Sequence, residues 1–156
     1  MRTLADLDDI GNKFSNVLPA VELDGSAAFD MWPAVVTNDK GKYALVFASN
    51  IVHIAPWAVA EGIFAGAAAC LRVGGSLVYH GPFIDDGKFQ TPDTSLFNSQ
   101  MRNFRVEEGE KRVDKGWGVR DVKEMVAEAA KCGLRHAATV KEVGPAKNFL
   151  LQFVKE

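Results

Sequence analysis

The sequence predicts an α/β domain built on a mostly parallel sheet, with flanking helices and an antiparallel last strand. Three observations point to it. The run Tyr43 to Ala48 is apolar throughout, as in strands buried on both faces of a parallel sheet. From there to His80 the chain reads strand, helix, strand, a βαβ unit that implies parallel pairing and a right-handed crossover. Residues 135–143 and 148–154 then read as two strands. The turn between them, Gly144-Pro145-Ala146-Lys147, is short enough for antiparallel neighbours.

The 156 residues suffice for one domain, 1–156, with a real core. A net charge of −2 and a pI near 5.9 argue against nucleic acid as a partner, which needs a concentrated basic face. No secretory signal and no span of bilayer length is legible, so no membrane association is expected. The apolar-rich window Ile54 to Leu71 contains Pro56, Glu61 and several alanines and reads as a core helix. Cys70 and Cys132 are isolated and lack metal-type spacing, which suits a reducing cytoplasm. Three histidines and two cysteines are too scattered for a metal site.

Taken in order, residues 3–15 place Leu4, Leu7, Ile10 and Phe14 near one face of a short helix, with Asp6, Asp8 and Asp9 suited to its N-terminus. Val21 and Leu23 alternate with Glu22 and Asp24, which predicts a short strand ended by Asp24-Gly25. Residues 26–42 read as a loop with at most one helical turn. After the strand at 43–48, Pro56 suits a helix start. Trp57, Ala60, Ile63, Phe64, Ala67 and Leu71 make one stripe, and Gly74-Gly75 is expected to end the helix. Residues 76–80 form the next buried strand, stopped by Gly81-Pro82.

Residues 84–118 are long and polar, as in a lid or insert. A helix from Thr94 to Phe104 is expected, with Leu96, Phe97 and Met101 inward, followed by a solvated loop over 107–115. Asp121 and Glu124 form a capping-box pattern at the start of a helix that runs to Cys132, with Gly133 as its stop.

Three blocks in order, NIVHIAPW with EGIF, HGPFIDDGKF, and WGVRD, resemble the methyltransferase-like 26 family, also called domain of unknown function 938. That resemblance covers roughly residues 5–156. It implies a partial Rossmann-like sheet of the class I methyltransferase type, S-adenosylmethionine as cofactor and a small-molecule substrate. By the same resemblance Asp6 would meet the cofactor's ribose and Asp24 its adenine. The family's first strand and glycine-rich turn have no counterpart, since no G-x-G-x-G occurs. The resemblance therefore implies a truncated version of the fold, with an open strand edge on which two copies of the chain could pair into a homodimer. Two readings stand: a methyltransferase-like protein, or a non-catalytic remnant serving as an interaction module. Smaller departures are Ala55 and His80 where the family has serine and tyrosine, Thr94 and Asn98 in the lid, and Lys147-Asn148 for a pair of asparagines.

Ligands of open α/β sheets bind at the carboxyl ends of the strands, which brings forward Ser49, Asn50 and His53. Ser49 and Asn50 are candidates for the cofactor's amino-acid end, although an asparagine there also bonds readily to its own backbone. His53 reads as a base, a substrate ligand or a packed core residue, and His80 ends a strand on the same edge. Both are the catalytic candidates. Trp57, Phe83, Trp117 and Arg120 are candidates for a substrate pocket. For the aromatics the alternative is plain core, and for Arg120 it is a neighbouring carbonyl or Asp121.

Overall fold

The computed structural model describes residues 6, 8, 11, 13–103, 105–108, 111–114 and 116–156. Its main sheet has four strands: β1 (Tyr43–Ser49), β2 (Leu71–Gly81), β7 (Leu134–Val143) and β8 (Asn148–Lys155). Their spatial order is β1-β2-β8-β7. β1 and β2 are parallel, and β8 runs antiparallel to both β2 and β7. Three strands thus share one direction and the last reverses it, as the sequence predicts.

The helix α2 (Trp57–Cys70) links β1 to β2, and α4 (Val122–Lys131) leads into β7. Their stripes meet the sheet in one core. Ala60, Ile63, Phe64 and Ala67 of α2 and Met125 and Ala129 of α4 pack with Leu77, Tyr79, Phe149, Leu151 and Phe153. Alternation along β8 puts its odd-numbered residues 149, 151 and 153 into this core and leaves the even ones half-buried. The other face carries polar pairs such as Gln152 Nε2 donating to Ser76 Oγ at 3.0 Å.

β1 departs from the expectation of burial on both faces. Val46 and Ala48 pack against the core, but Leu45 is 54% and Phe47 58% exposed. The strand is at the sheet edge, and none of the described elements covers its outer face. Nor is there a strand at 21–24, which is irregular with Val21 and Leu23 exposed. A strand needs a neighbour to satisfy its backbone, and that segment has none among the described residues. Next along the chain come a 3-10 turn, Phe29–Met31, and the one-turn helix α1, Ala34–Thr37.

This N-terminal stretch is held by close approach to α2. A β-carbon on Gly62 would lie 2.0 Å from the Gly25 carbonyl oxygen, and one on Gly66 2.0 Å from the Trp32 indole. Only glycine at both positions lets the coil and the indole seat there. The helix expected over 3–15 lies largely outside the described residues; among those described, 6, 8 and 11 are helical.

Gly74-Gly75 does not end α2. The helix stops at Cys70, and Leu71 is already extended. The register jumps from Tyr43↔Leu71 to Leu45↔Ser76, so residues 72–75 bulge out of β2, with Gly74 at φ +76°.

Two short strands, β3 (Phe83–Ile84) and β6 (Arg120–Asp121), pair in parallel and close the insert at its base. Within it, α3 (Pro92–Arg102) starts two residues before the expected Thr94, with Pro92 in its first turn. Thr91 caps it by accepting from Thr94 N at 3.1 Å. Leu96 is 61% exposed, and the residue buried beneath α3 is Asn98. Where a solvated loop is expected, the backbone forms the antiparallel hairpin β4 (Arg105–Glu108) and β5 (Lys111–Asp114).

The capping box at α4 is present. Asp121 Oδ1 accepts from Lys123 N at 2.9 Å, and Asp121 N donates to Glu124 Oε2 at 3.0 Å. Asp121 Oδ2 also accepts from Gly87 N at 2.8 Å, tying the insert to the helix start. Asp121→Ala removes both functions and is expected to cost about 1–2 kcal/mol in urea unfolding. Asp121→Asn should retain most of that stability.

Candidate functional site

Three chain segments converge at the carboxyl ends of β1 and β2. Asn50 follows β1 in the left-handed region, φ 55°, and its N–H donates to the His80 carbonyl at 2.8 Å. Asparagine tolerates this conformation better than other non-glycine residues. The side chains behind it are linked. Ser49 Oγ is 3.0 Å from His80 Nδ1, and His80 Nε2 is 3.3 Å from Asn148 Nδ2 at the start of β8. His80 thus bridges the ends of β1 and β8 across β2.

In front of this row lies an open cleft of about 540 Å³. Asn50, His53 and Pro82 form its floor; Thr91, Asp93, Thr94 and Phe97 from α3 form one wall, and residues 145–148 of the β7–β8 turn form the other. The charges on it are Asp93 and Lys147.

His53 is only 7% exposed. Its ring meets Phe97 edge-on at 5.4 Å between centroids. Nδ1 is buried with no hydrogen-bond partner among the described residues. Burial, and next the positive charge of Arg120, hold its pKa below the ordinary histidine value. The imidazole is therefore neutral at pH 7.

The loop carrying His53 is clamped from behind. Gly118 N donates to the His53 carbonyl at 2.9 Å, and Val119 N to Asn98 Oδ1 at 2.8 Å. The Arg120 guanidinium donates to three carbonyls: Val52 at 3.2 Å, Ala55 at 2.8 Å and Gly116 at 2.7 Å. It also lies over the Trp57 ring, 5.6 Å from its centroid. Its fork of donors fits this role, which a lysine ammonium cannot fill.

Of the residues singled out from the sequence, Asn50 and His53 line the cleft, and Ser49 and His80 stand directly behind it. The others do not line it. Asp24 accepts from Ser26 N at 2.8 Å and Ser26 Oγ at 2.6 Å in a local turn. Asp6 is exposed on the N-terminal segment. Phe83 is buried in the core against Phe149. Trp57 and Arg120 pack on each other, and Trp117 is half-buried beside them in sequence. Arg120 positions the His53 loop rather than facing a ligand. The residues that sequence reasoning did not place here are Thr91, Asp93 and Phe97, and residues 145–147. The lid-like character of 84–118 was the signal for the first three, and the Gly-Pro turn before Asn148 for the last.

Among the described residues no group of three or more His, Cys, Asp or Glu side chains is placed to hold a metal ion. No described helix is long and apolar enough to cross a membrane.

Solved structures of similar fold include methyltransferases. Human N-acetylserotonin methyltransferase in complex with SAM aligns over 91% of this chain and 35% of its own, with TM-score 0.64 and 12% identity. An O-methyltransferase family 2 protein from Planctomyces limnophilus, in complex with apigenin, aligns over 72% of this chain and 31% of its own, with TM-score 0.58 and 15% identity. PigF with SAH aligns over 76% and 35%, with TM-score 0.57 and 16% identity. The chain spans about a third of the length of each. At such identities the likeness is one of fold: α/β, partial Rossmann-like, of the methyltransferase type. The family model described as "Protein of unknown function (DUF938)" matches residues 5–155, and with nearly the whole sequence inside that match the chain belongs to the DUF938 family.

Proposed function

We propose that this chain is a methyltransferase-like protein of the methyltransferase-like 26 kind, and that its cleft is the substrate end of an S-adenosylmethionine-dependent site for a small molecule. One observation carries the reading. Asn50 and His53 from the loop after β1, Phe97 from α3 and Asn148 from the start of β8 come to one cleft, at the strand ends where α/β sheets bind ligands.

The residues present fit one end of the cofactor. The carboxamides of Asn50 and Asn148, with the Ser49–His80 pair behind them, suit its polar amino-acid end. Asp6 and Asp24, the acids expected at the ribose and adenine, do not line the cleft. When bound, the cofactor supplies an electrophilic methyl group. The chain's own part is to hold an acceptor atom in line with it and exclude water. Phe97, Pro82 and Pro145 supply apolar surface for that, and Asn50 and His53 supply the polar contacts.

Calorimetric titration of S-adenosylmethionine and S-adenosylhomocysteine tests this. Dissociation constants below about 100 µM, near −5.5 kcal/mol, are expected. No detectable heat from a folded sample overturns the cofactor assignment.

A second reading is favoured by β1. Among the described residues nothing pairs with its outer edge or covers the face with Leu45 and Phe47 exposed, and such an edge invites pairing with another chain. Antiparallel pairing of two copies centred on Val46 sets Leu45 of each opposite Phe47 of the other. In this reading the chain is an interaction module that forms homodimers. Sedimentation should then show a dimer that Phe47→Lys converts to monomer; a wild-type monomer counts against it. The compartment we propose is the cytoplasm, on the two free cysteines Cys70 and Cys132.

A further inference from the structure

We infer that His53 serves the cleft as a hydrogen-bond donor, and that the group it meets is an oxygen anion, a carboxylate or an acidic phenolate. This rests on the reading of the cleft as a methyl-acceptor site and names the acceptor's chemical class.

The argument starts from the ring nitrogens. In a neutral imidazole one nitrogen carries the proton, and the hydrogen bond made by the other decides which. Nδ1 of His53 is buried and has no partner among the described residues. A proton there would be a buried N–H without an acceptor, which is costly. The proton is therefore assigned to Nε2, the ring nitrogen left for a ligand in the cleft that His53 lines. His53 presents an N–H, where a base needs a lone pair.

Accepting a proton would make matters worse. The imidazolium would carry both N–H groups, one of them orphaned. It would also lie near Arg120, whose three carbonyl partners fix its charge in place. A general base is normally oriented by a third group that accepts its other N–H. The carbonyl of His53 itself is taken by Gly118 N, and no described residue accepts from Nδ1.

The acceptor that suits such a donor is one from which His53 need take no proton. With the cofactor bound, a carboxylate oxygen would need only its own lone pair to take the methyl group, the electron pair of the former C–S bond would stay on sulfur, and His53 would have no proton to remove. The surrounding charge agrees in part. Arg120 behind the floor and Lys147 on the wall are positive, and Lys147 is only loosely paired, 3.9 Å from Glu142. Asp93 on the α3 wall opposes them.

The test uses nitrogen-15-labelled full chain, with benzoate and benzyl alcohol as probes. Long-range proton–nitrogen spectra at pH 7 should show His53 as the neutral Nε2–H form. Benzoate, at about 10 mM, well above a millimolar Kd, should shift Nε2 saturably, and benzyl alcohol should not. His53→Gln keeps an N–H donor and should hold the benzoate Kd within about threefold, whereas His53→Leu should weaken it at least tenfold, the fold-change that corresponds to one lost hydrogen bond to a charged group. An Nδ1–H tautomer, an imidazolium at pH 7, or equal binding of the two probes overturns the inference. So does the absence of any benzoate shift. The cofactor titration fails or succeeds separately: an anion site without cofactor binding would sink the methyl-transfer reading and leave the role of His53 standing.

Discussion

Arg120→Ala is expected to lower stability by about 3 kcal/mol, because hydrogen bonds to a charged group contribute about 1.5–3 kcal/mol each and their loss is only partly made good by water. Three carbonyls lose their donor at once: Val52 and Ala55 on the His53 loop, and Gly116 on the insert. For a domain of this size that loss lowers Tm by roughly 6–12 °C in thermal unfolding. Arg120→Lys should recover little of it, since an ammonium on a flexible stem cannot reach three carbonyls from one planar fork. The distinguishing consequence is local. The loop from Val52 to Ala55 loses its clamp, so amide exchange there should rise more than in the sheet, and benzoate should no longer perturb His53. A variant as stable as the parent would show that the clamp does not hold the loop.

The second large effect lies in the core. Phe153 is fully buried and meets Phe64 at 5.3 Å, Tyr79 at 6.5 Å and His136 at 5.5 Å between ring centroids. It is paired across β8 with Leu77 and His136, so it joins three strands and α2. Phe153→Ala should cost about 4 kcal/mol, the transfer of a ring plus the cavity it leaves. The expected fall in Tm is about 8–16 °C. Phe153→Leu, which keeps most of the volume, should cost less than half as much. Equal losses for the two would mean that the aromatic contacts, rather than the filled volume, hold the sheet. Because β8 begins at Asn148, the alanine variant should also loosen the cleft wall.

The elements that the sequence announces clearly are those whose signals are local. Asp121 and Glu124 stand three residues apart and cap the helix that starts between them. The stripe of α2 repeats within one helix. The Gly144–Lys147 turn is too short for anything but adjacent antiparallel strands. In each case the residues that interact are close along the chain, so the pattern and the contact coincide.

The remainder depends on neighbours that are far apart in sequence. Tyr43 to Ala48 reads the same whether one face or two are covered, and only the absence of a described element over Leu45 and Phe47 makes it a one-sided edge. Val21 and Leu23 alternate like a strand, but a strand requires a partner to take its backbone groups. Arg120 looks like an anion clamp until Val52 and Ala55, 68 and 65 positions away, take its donors. The cleft itself joins Asn50 and His53, Phe97, and Asn148 from three segments. Chain order and local chemistry were enough for the α/β class and for the polar residues at the strand ends. Which of those residues line the cleft, and which hold the others in place, followed from burial and hydrogen-bond geometry, because both depend on what the folded chain puts on the far side of each side chain.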